Sequence, residues 1–518
     1  MKTIDIPYYQ DYLSHSLCEH LLRESTPVDG VQGLRQVGPS GGLETPESLR
    51  FLCELYQRLK EPLNRVLEQR RIDRKFLDER TRASYALNQS LGIDIRDADY
   101  ETVIGQEDAA GRIVMGPKTP FYCKKGQGDP IAILPPYLRG THVTLFGPPD
   151  DPKLSINAMN AFHRRIQDEP PIVSTILETC TETPFWGADD EDSKTPLRRD
   201  LISAGIHLKG CFDGTLSHQD EKSGKTYQLE KERLSLPIKR FPGLALPCSF
   251  LFLNESPLPL HLYDFALHLF ANWHLDRALN YYVPKLENEE EAAYIHLMVE
   301  TAEEMIRSLH PEYEPGTIRL FIVLENPRAI FRVNEIMDAL HPYFAGASLG
   351  WHDYLASTAR LFKNDPNYRI PVKADPNIVI KYIKASHDLL AEVVGSRGGI
   401  KIGGMYGILP LTNDLKSPSF QLTIKGYIKD VITQLKRSLS GFWVAHPDFV
   451  RLGLALTQAW KLRDASPQLL DELVCTLLLP EHHREILDFI HGPDIEGLKI
   501  DDPRYPRSLI VADLKESI

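Results

Sequence analysis

Two carboxylates end two consecutive apolar runs: Glu325 closes "FIVLE" and Asp353 closes "LGWHD". If these runs are neighbouring strands, their tips lie ~4.8 Å apart and can share one ion. No Cys and no paired His stands nearby, so the donors are all oxygen and suit a hard cation. Mg²⁺ fits best, because it takes one or two carboxylates and leaves positions for substrate oxygens and water. Arg240 closes "LSLPIKR" and offers permanent positive charge where an oxyanion develops. The glycines of "GGIKIGGMYG" let backbone N–H groups approach a ligand. His352 and His446 could act as acid–base groups, with hydrogen-bonded core histidines as the competing reading. Arg328 and Arg332 could read an anionic group, against the plainer reading of an exposed helix face.

These groups share a position, the end of a strand. Eight short apolar or β-branched runs recur from about residue 140: "HVTLFGP", "PFWGADDED", "RLSLPIKR", "YYVPKLE", "TIRLFIVLE", "FAGASLGWHD", "IKIGGM" and "GFWVAHPD". Most precede an amphipathic helix, the clearest being 288–309, whose acidic start suits the positive end of a helix dipole. Alternating strands and helices argue for a parallel sheet, and eight strands for a closed (β/α)8 TIM barrel. The C-terminal strand ends of such a barrel converge on one face, which carries the active site. Residues 1–135 read as a mainly helical N-terminal region. Leu49, Leu52, Leu55, Leu59 and Leu63 form one helical stripe there, with Pro62 as a kink. The barrel spans 136–460, and 461–518 form a short helical C-terminal segment over the barrel mouth.

Composition excludes other classes. The chain has 518 residues, 42% hydrophobic and 25% charged, with a formal net charge of −12. That balance argues against a nucleic-acid partner, which demands a basic face. The Arg- and Lys-rich stretch 68–82 is interleaved with acids and reads as a solvated helix with paired charges. Seven scattered cysteines without a CxxC pair indicate neither a zinc site nor a disulfide framework. The start does not read as a signal peptide, and no run approaches the ~20 apolar residues of a membrane span. A reduced, cytoplasmic, enzyme-sized protein is expected.

Eight ordered blocks carry a resemblance: "PKLSINAMNAF", "GADDEDS", "LYDFALHLF", "NYYVPKLENEEEA", "GTIRLFIVLE", "AGASLGWHDY", "GGMYGILPLTND" and "FWVAHPDFV". Over about residues 140–505 the chain resembles the malate synthase family, in its shorter bacterial and plant type. This family belongs with the Mg-dependent barrels related to the citrate lyase β subunit. The resemblance implies that Glu325 and Asp353 hold Mg²⁺ and that Arg240, in "RFPG", is the active-site arginine. It implies that Asp501, in "GLKIDDP", is the catalytic base, and that Asp189, Glu191 and Asp192 form an acidic cluster beside the metal. Gly350, Trp351, His352, Lys285 and Pro447 are the further substrate-binding candidates.

The implied reaction is a Claisen condensation of acetyl-CoA, or another acyl-CoA, with glyoxylate or another 2-oxo acid. Asp501 would take a methyl proton, Arg240 would stabilise the enolate oxygen, and thioester hydrolysis would release malate and CoA. The chain departs from the family where "RFPGLAL" lacks a Trp and a His beside the arginine, and where His352 precedes the metal carboxylate. Competing readings are a malyl-CoA or citramalyl-CoA C–C lyase, a CoA-independent Mg²⁺ aldolase, and a non-catalytic barrel. No membrane partner is expected, and a homo-oligomer is possible.

Overall fold

The computed structural model describes residues 15–93, 102–118, 129–192, 197–366 and 381–494. Its centre is a closed barrel of eight parallel strands: β1 His142–Gly147, β2 Phe185–Asp189, β3 Leu236–Arg240, β4 Asn280–Val283, β5 Arg319–Leu324, β6 Phe344–Leu349, β7 Ile400–Tyr406 and β8 Gly441–Val444. Each strand pairs with its sequence neighbour, and β8 closes on β1 through Gly441 opposite His142. All eight expected strands are present, so the (β/α)8 expectation holds. Burial on both faces explains their continuous apolar character. Phe185, Ile238, Tyr282, Phe321, Val323 and Trp443 fill the barrel interior.

The N-terminal region is mainly helical, as expected. Helix α1, Pro46–Leu91, starts at a capping box in which Thr45 and Ser48 satisfy each other's backbone N–H groups. It ends at Gly92, whose φ of 66° is a left-handed cap. The five-leucine stripe is buried, and the helix runs unbroken through Pro62. It packs on α2, Leu260–Asn272, and α3, Glu289–Leu309. Asn288 caps α3 and three glutamates fill its first turn.

The stretch 68–82 corrects the expectation of a fully solvated helix. Arg70 and Asp73 are buried within it. Arg70 donates to both carboxylate oxygens of Glu291 on α3, at 2.7 and 2.6 Å. Asp73 receives Arg112 at 2.6 Å and also pairs with Arg328. The exposed-face reading of Arg328 and Arg332 is likewise overturned. Both are buried, Arg328 on Glu287 at 2.7 Å and Arg332 beside Glu289 at 3.4 Å.

A four-stranded antiparallel sheet lies beside the barrel. Thr26–Pro27 and Leu34–Gln36 join Pro247–Leu253 and Ser256–Pro259, so the N-terminal region pairs with a hairpin that follows β3. Three further helices matter to the site and its flank: α4 Trp351–Leu361, α5 Pro418–Lys436 and α6 Val450–Lys461. The described part of the C-terminal segment, α7 Pro467–Leu477 and α8 Pro480–His491, packs against α5 and α6. Residues 495–518, on which the expected cover over the mouth rests, lie outside the described residues. Among the described residues no helix is long and apolar enough to cross a membrane.

Candidate active site

Register builds the site. Leu324 on β5 pairs with Leu349 on β6, and Gly350 N–H donates to the Leu324 carbonyl at 3.0 Å. Glu325 therefore leaves its strand beside the start of α4, where Asp353 occupies the first turn. Asp192, in the loop after β2, completes a group: one carboxylate oxygen from each of Asp192, Glu325 and Asp353 lies within 4.8 Å of the others. The two expected metal ligands are thus brought together, and an acidic residue expected only nearby joins them. Gly350 has a physical reason to be glycine, since a Cβ there would sit 2.9 Å from Glu325 Oε2 and 2.7 Å from Val323 Cγ1.

Strand alternation aims the arginine. Leu236 and Ile238 face the barrel interior, so Arg240 continues that face into the mouth. Asp189 is its partner in register on β2, and the pair forms a two-bond fork at 2.7 and 2.7 Å. Arg240 also reaches Asp192 at 3.0 Å and Glu191 at 3.6 Å, and stacks over Phe146. Lys239 points the other way, buried between β3 and α2 on Asp190 and, at 2.9 Å, Asp264.

Lys285 sits at φ 54°, a left-handed backbone rare outside glycine. That turn aims its N–H at Glu325 Oε1, 2.7 Å away. Its ammonium meets Glu191 at 2.8 Å, Asp192 at 2.8 Å and Asp353 at 3.8 Å.

Five carboxylates therefore surround two cations. Burial pushes Glu325 up to about 7 and Glu191 up to about 9. Burial also penalises Asp192, but the charge of Arg240 and a hydrogen bond from Glu191 outweigh it and hold Asp192 at about 2. Lys285 is desolvated, yet Glu325, Glu191 and Asp192 raise it above its usual range. An all-oxygen donor set with surplus negative charge fits a hard divalent cation.

The mouth cavity measures about 330 Å³ and is walled by Phe146, Trp351, His352, Met405 and Trp443 above these charges. Trp351 is buried and His352 exposed, both at the start of α4. Pro447 does not line this cavity; it opens a short 3-10 turn after β8. His446 accepts the Asp448 N–H at 3.3 Å and lines a separate hollow with Tyr406 and Tyr427, so the structure takes it out of the mouth. The glycine run serves packing more than ligand approach: a Cβ on Gly403 would lie 1.6 Å from Gln434 Oε1. Asp501 lies outside the described residues. Sequence reasoning missed Phe146, Met405 and Trp443; they lie inside apolar runs, and only closure of the barrel shows which way they face.

Residues 238–469 match the family model "Malate synthase, TIM barrel domain". The glyoxysomal malate synthase of Cucumis sativus is 28% identical over 326 residues, 62% of this chain and 52% of that protein. Malate synthase A of Escherichia coli is 26% identical over 441 residues, 84% of this chain and 71% of that protein. This chain spans about half the length of the first plant relatives it matches. Among solved structures, a magnesium/glyoxylate complex of Haloferax volcanii malate synthase matches with a TM-score of 0.37 and 11% identity, covering 71% of this chain and 97% of that one.

Proposed function

The chain belongs to the malate synthase family through its TIM barrel domain, and from that premise we propose a Mg²⁺-dependent Claisen condensation of acetyl-CoA with glyoxylate or a related 2-oxo acid. Acetyl-CoA, glyoxylate and water would give malate and CoA. One observation carries this reading: three carboxylate oxygens within 4.8 Å of one another stand beside a buried arginine at the barrel mouth.

Asp192, Glu325 and Asp353 would hold the Mg²⁺, which when bound polarises the carbonyl of the oxo acid. Arg240 keeps a fixed positive charge in the mouth, where an enolate oxygen gains negative charge. A preset donor in a site poor in water is worth several kcal/mol to such a charge. The Asp189 fork holds the guanidinium in place, so little reorganisation accompanies the reaction. Asp501 is the proposed base for the acyl methyl proton. Trp351, Phe146 and Trp443 exclude water from the enolate. Lys285 holds Glu191 and Asp192 toward the mouth. The free thiols among the described cysteines suit a reducing compartment, the cytoplasm in our reading; the plant relatives are named glyoxysomal.

Release of CoA from acetyl-CoA, measured with a thiol reagent, is expected to require both glyoxylate and Mg²⁺. Glu325→Gln and Asp353→Asn should each abolish it while the far-UV circular dichroism stays unchanged. Malyl-CoA accumulating without free CoA would instead identify a lyase-type enzyme that leaves the thioester intact. Wild-type protein inert with glyoxylate at every metal concentration would refute the condensation.

A further inference from the structure

A second cavity, about 380 Å³, opens on the other side of Glu325. It lies between α1 and the loops after β3, β4 and β5, and nothing above assigns it a ligand. Lys285 and Glu191 line it as well, so the Lys285 side chain stands between it and the mouth. Its body is apolar: Leu77, Leu244, Leu246, Pro327 and Leu361. Its far end is cationic. Arg70 and Arg328 are matched by Glu291 and Asp73, while Glu287 is shared by the guanidiniums of Arg70, Arg74 and Arg328. That leaves Arg74, Arg360 and Lys363 facing chiefly Asp78, which lies 3.1 Å from Lys363. Arg360 makes no ion pair with any described residue.

Helix geometry links this end to the metal group. Asp353, Ser357 and Arg360 follow one another on α4 at steps of four and three, so they share a face. Seven residues at 1.5 Å rise place Arg360 ~10 Å along the helix from the metal carboxylate. A molecule held at the metal through its oxo-acid end would therefore extend past Glu325, along the apolar wall, toward the Arg360 guanidinium.

We infer that this cavity receives the distal carboxylate of a 2-oxo dicarboxylic acid, and that Arg360 and Arg74 select for it. The inference rests on the proposed oxo-acid reading and narrows its substrate class. A free phosphate would answer the cations but leave the apolar walls unused. A guanidinium matches a carboxylate with two parallel hydrogen bonds.

The test measures dissociation constants with Mg²⁺ present for glyoxylate, oxaloacetate, 2-oxoglutarate and inorganic pyrophosphate. Wild type, Arg360→Ala and Arg74→Ala/Arg360→Ala are compared. In wild type at least one dicarboxylate should bind about tenfold or more tighter than glyoxylate, the scale of one charge-assisted hydrogen bond. In Arg360→Ala that ratio should collapse toward one. Arg360 is exposed, and equal melting temperatures of the ligand-free proteins would exclude misfolding as the cause. Glyoxylate binding with no gain for either dicarboxylate, or a gain indifferent to both variants, overturns the inference and leaves the proposed reaction standing. Pyrophosphate binding that depends on Arg360, with no dicarboxylate gain, makes the cavity a phosphate site and also overturns it. Failure of every oxo acid to bind removes both readings.

Discussion

Glu325 is buried, and one of its oxygens already takes the Lys285 N–H. Burial raises this carboxyl to about 7, so a cation must compete with a proton for it. Mg²⁺ affinity should therefore fall as pH drops below about 7, by up to ~10-fold per unit, and level off above it. Titration calorimetry from pH 5.5 to 8.5 reads that slope, and Glu325→Gln should weaken binding and flatten it. The same shift acts on stability with the opposite sense. An unfolded glutamate ionises near ~4.3, so the metal-free fold loses stability as pH rises from there to about 7, and Mg²⁺ restores it. Gly350→Ala should push on Glu325 and weaken Mg²⁺ about tenfold or more with the fold retained, since the added methyl meets the carboxylate itself. The Glu325–Asp353 pair is legible in sequence because each acid follows an apolar run. Asp192 is less so, since it reaches the pair from a loop three residues beyond β2.

Elements on the outside of the barrel hold these residues still. Arg70 on α1 ties the loop after β4 in place by donating to Glu291 and, at 3.1 Å, to the Lys285 carbonyl. Arg70→Ala should cost roughly 3 kcal/mol in urea unfolding, because it leaves a buried carboxylate unmatched. It should also weaken Mg²⁺ binding by freeing Lys285 from its turn. Lys239→Met, behind the barrel wall, abandons Asp190 and Asp264 together and should cost about 3–5 kcal/mol. The eight strands are readable because a parallel strand buried on both faces is an unbroken apolar run. Thr26–Pro27 and Leu34–Gln36 escape such reading, since two or three residues show no periodicity. The buried charge of Arg70 and Asp73 also escapes it: an acid–base helix face looks the same in sequence whether it meets water or another helix.

At the scale of the molecule, the N-terminal region and the barrel share one apolar core. Leu52, Leu55 and Leu59 of α1 belong to the same buried cluster as Phe265 of α2, Ile295 of α3 and Leu320 of β5. The antiparallel sheet adds backbone bonds across the same junction. Urea unfolding followed by tryptophan fluorescence and by circular dichroism should therefore give coincident single transitions; a separate early transition of α1 would show that the helix folds on its own.

The pairing of Gly441 with His142 also fixes an order of events during synthesis. The first barrel strand must wait for the last, 299 residues later by difference of these positions. At ~5–20 residues per second that is roughly 15–60 s on the ribosome with an open sheet edge exposed. Nascent chains stalled before β8 emerges should remain protease-sensitive and bind chaperones, while chains stalled well beyond it should become resistant together, N-terminal helix included. The reach of a closed ring thus makes the newborn chain dependent on protection for most of its synthesis.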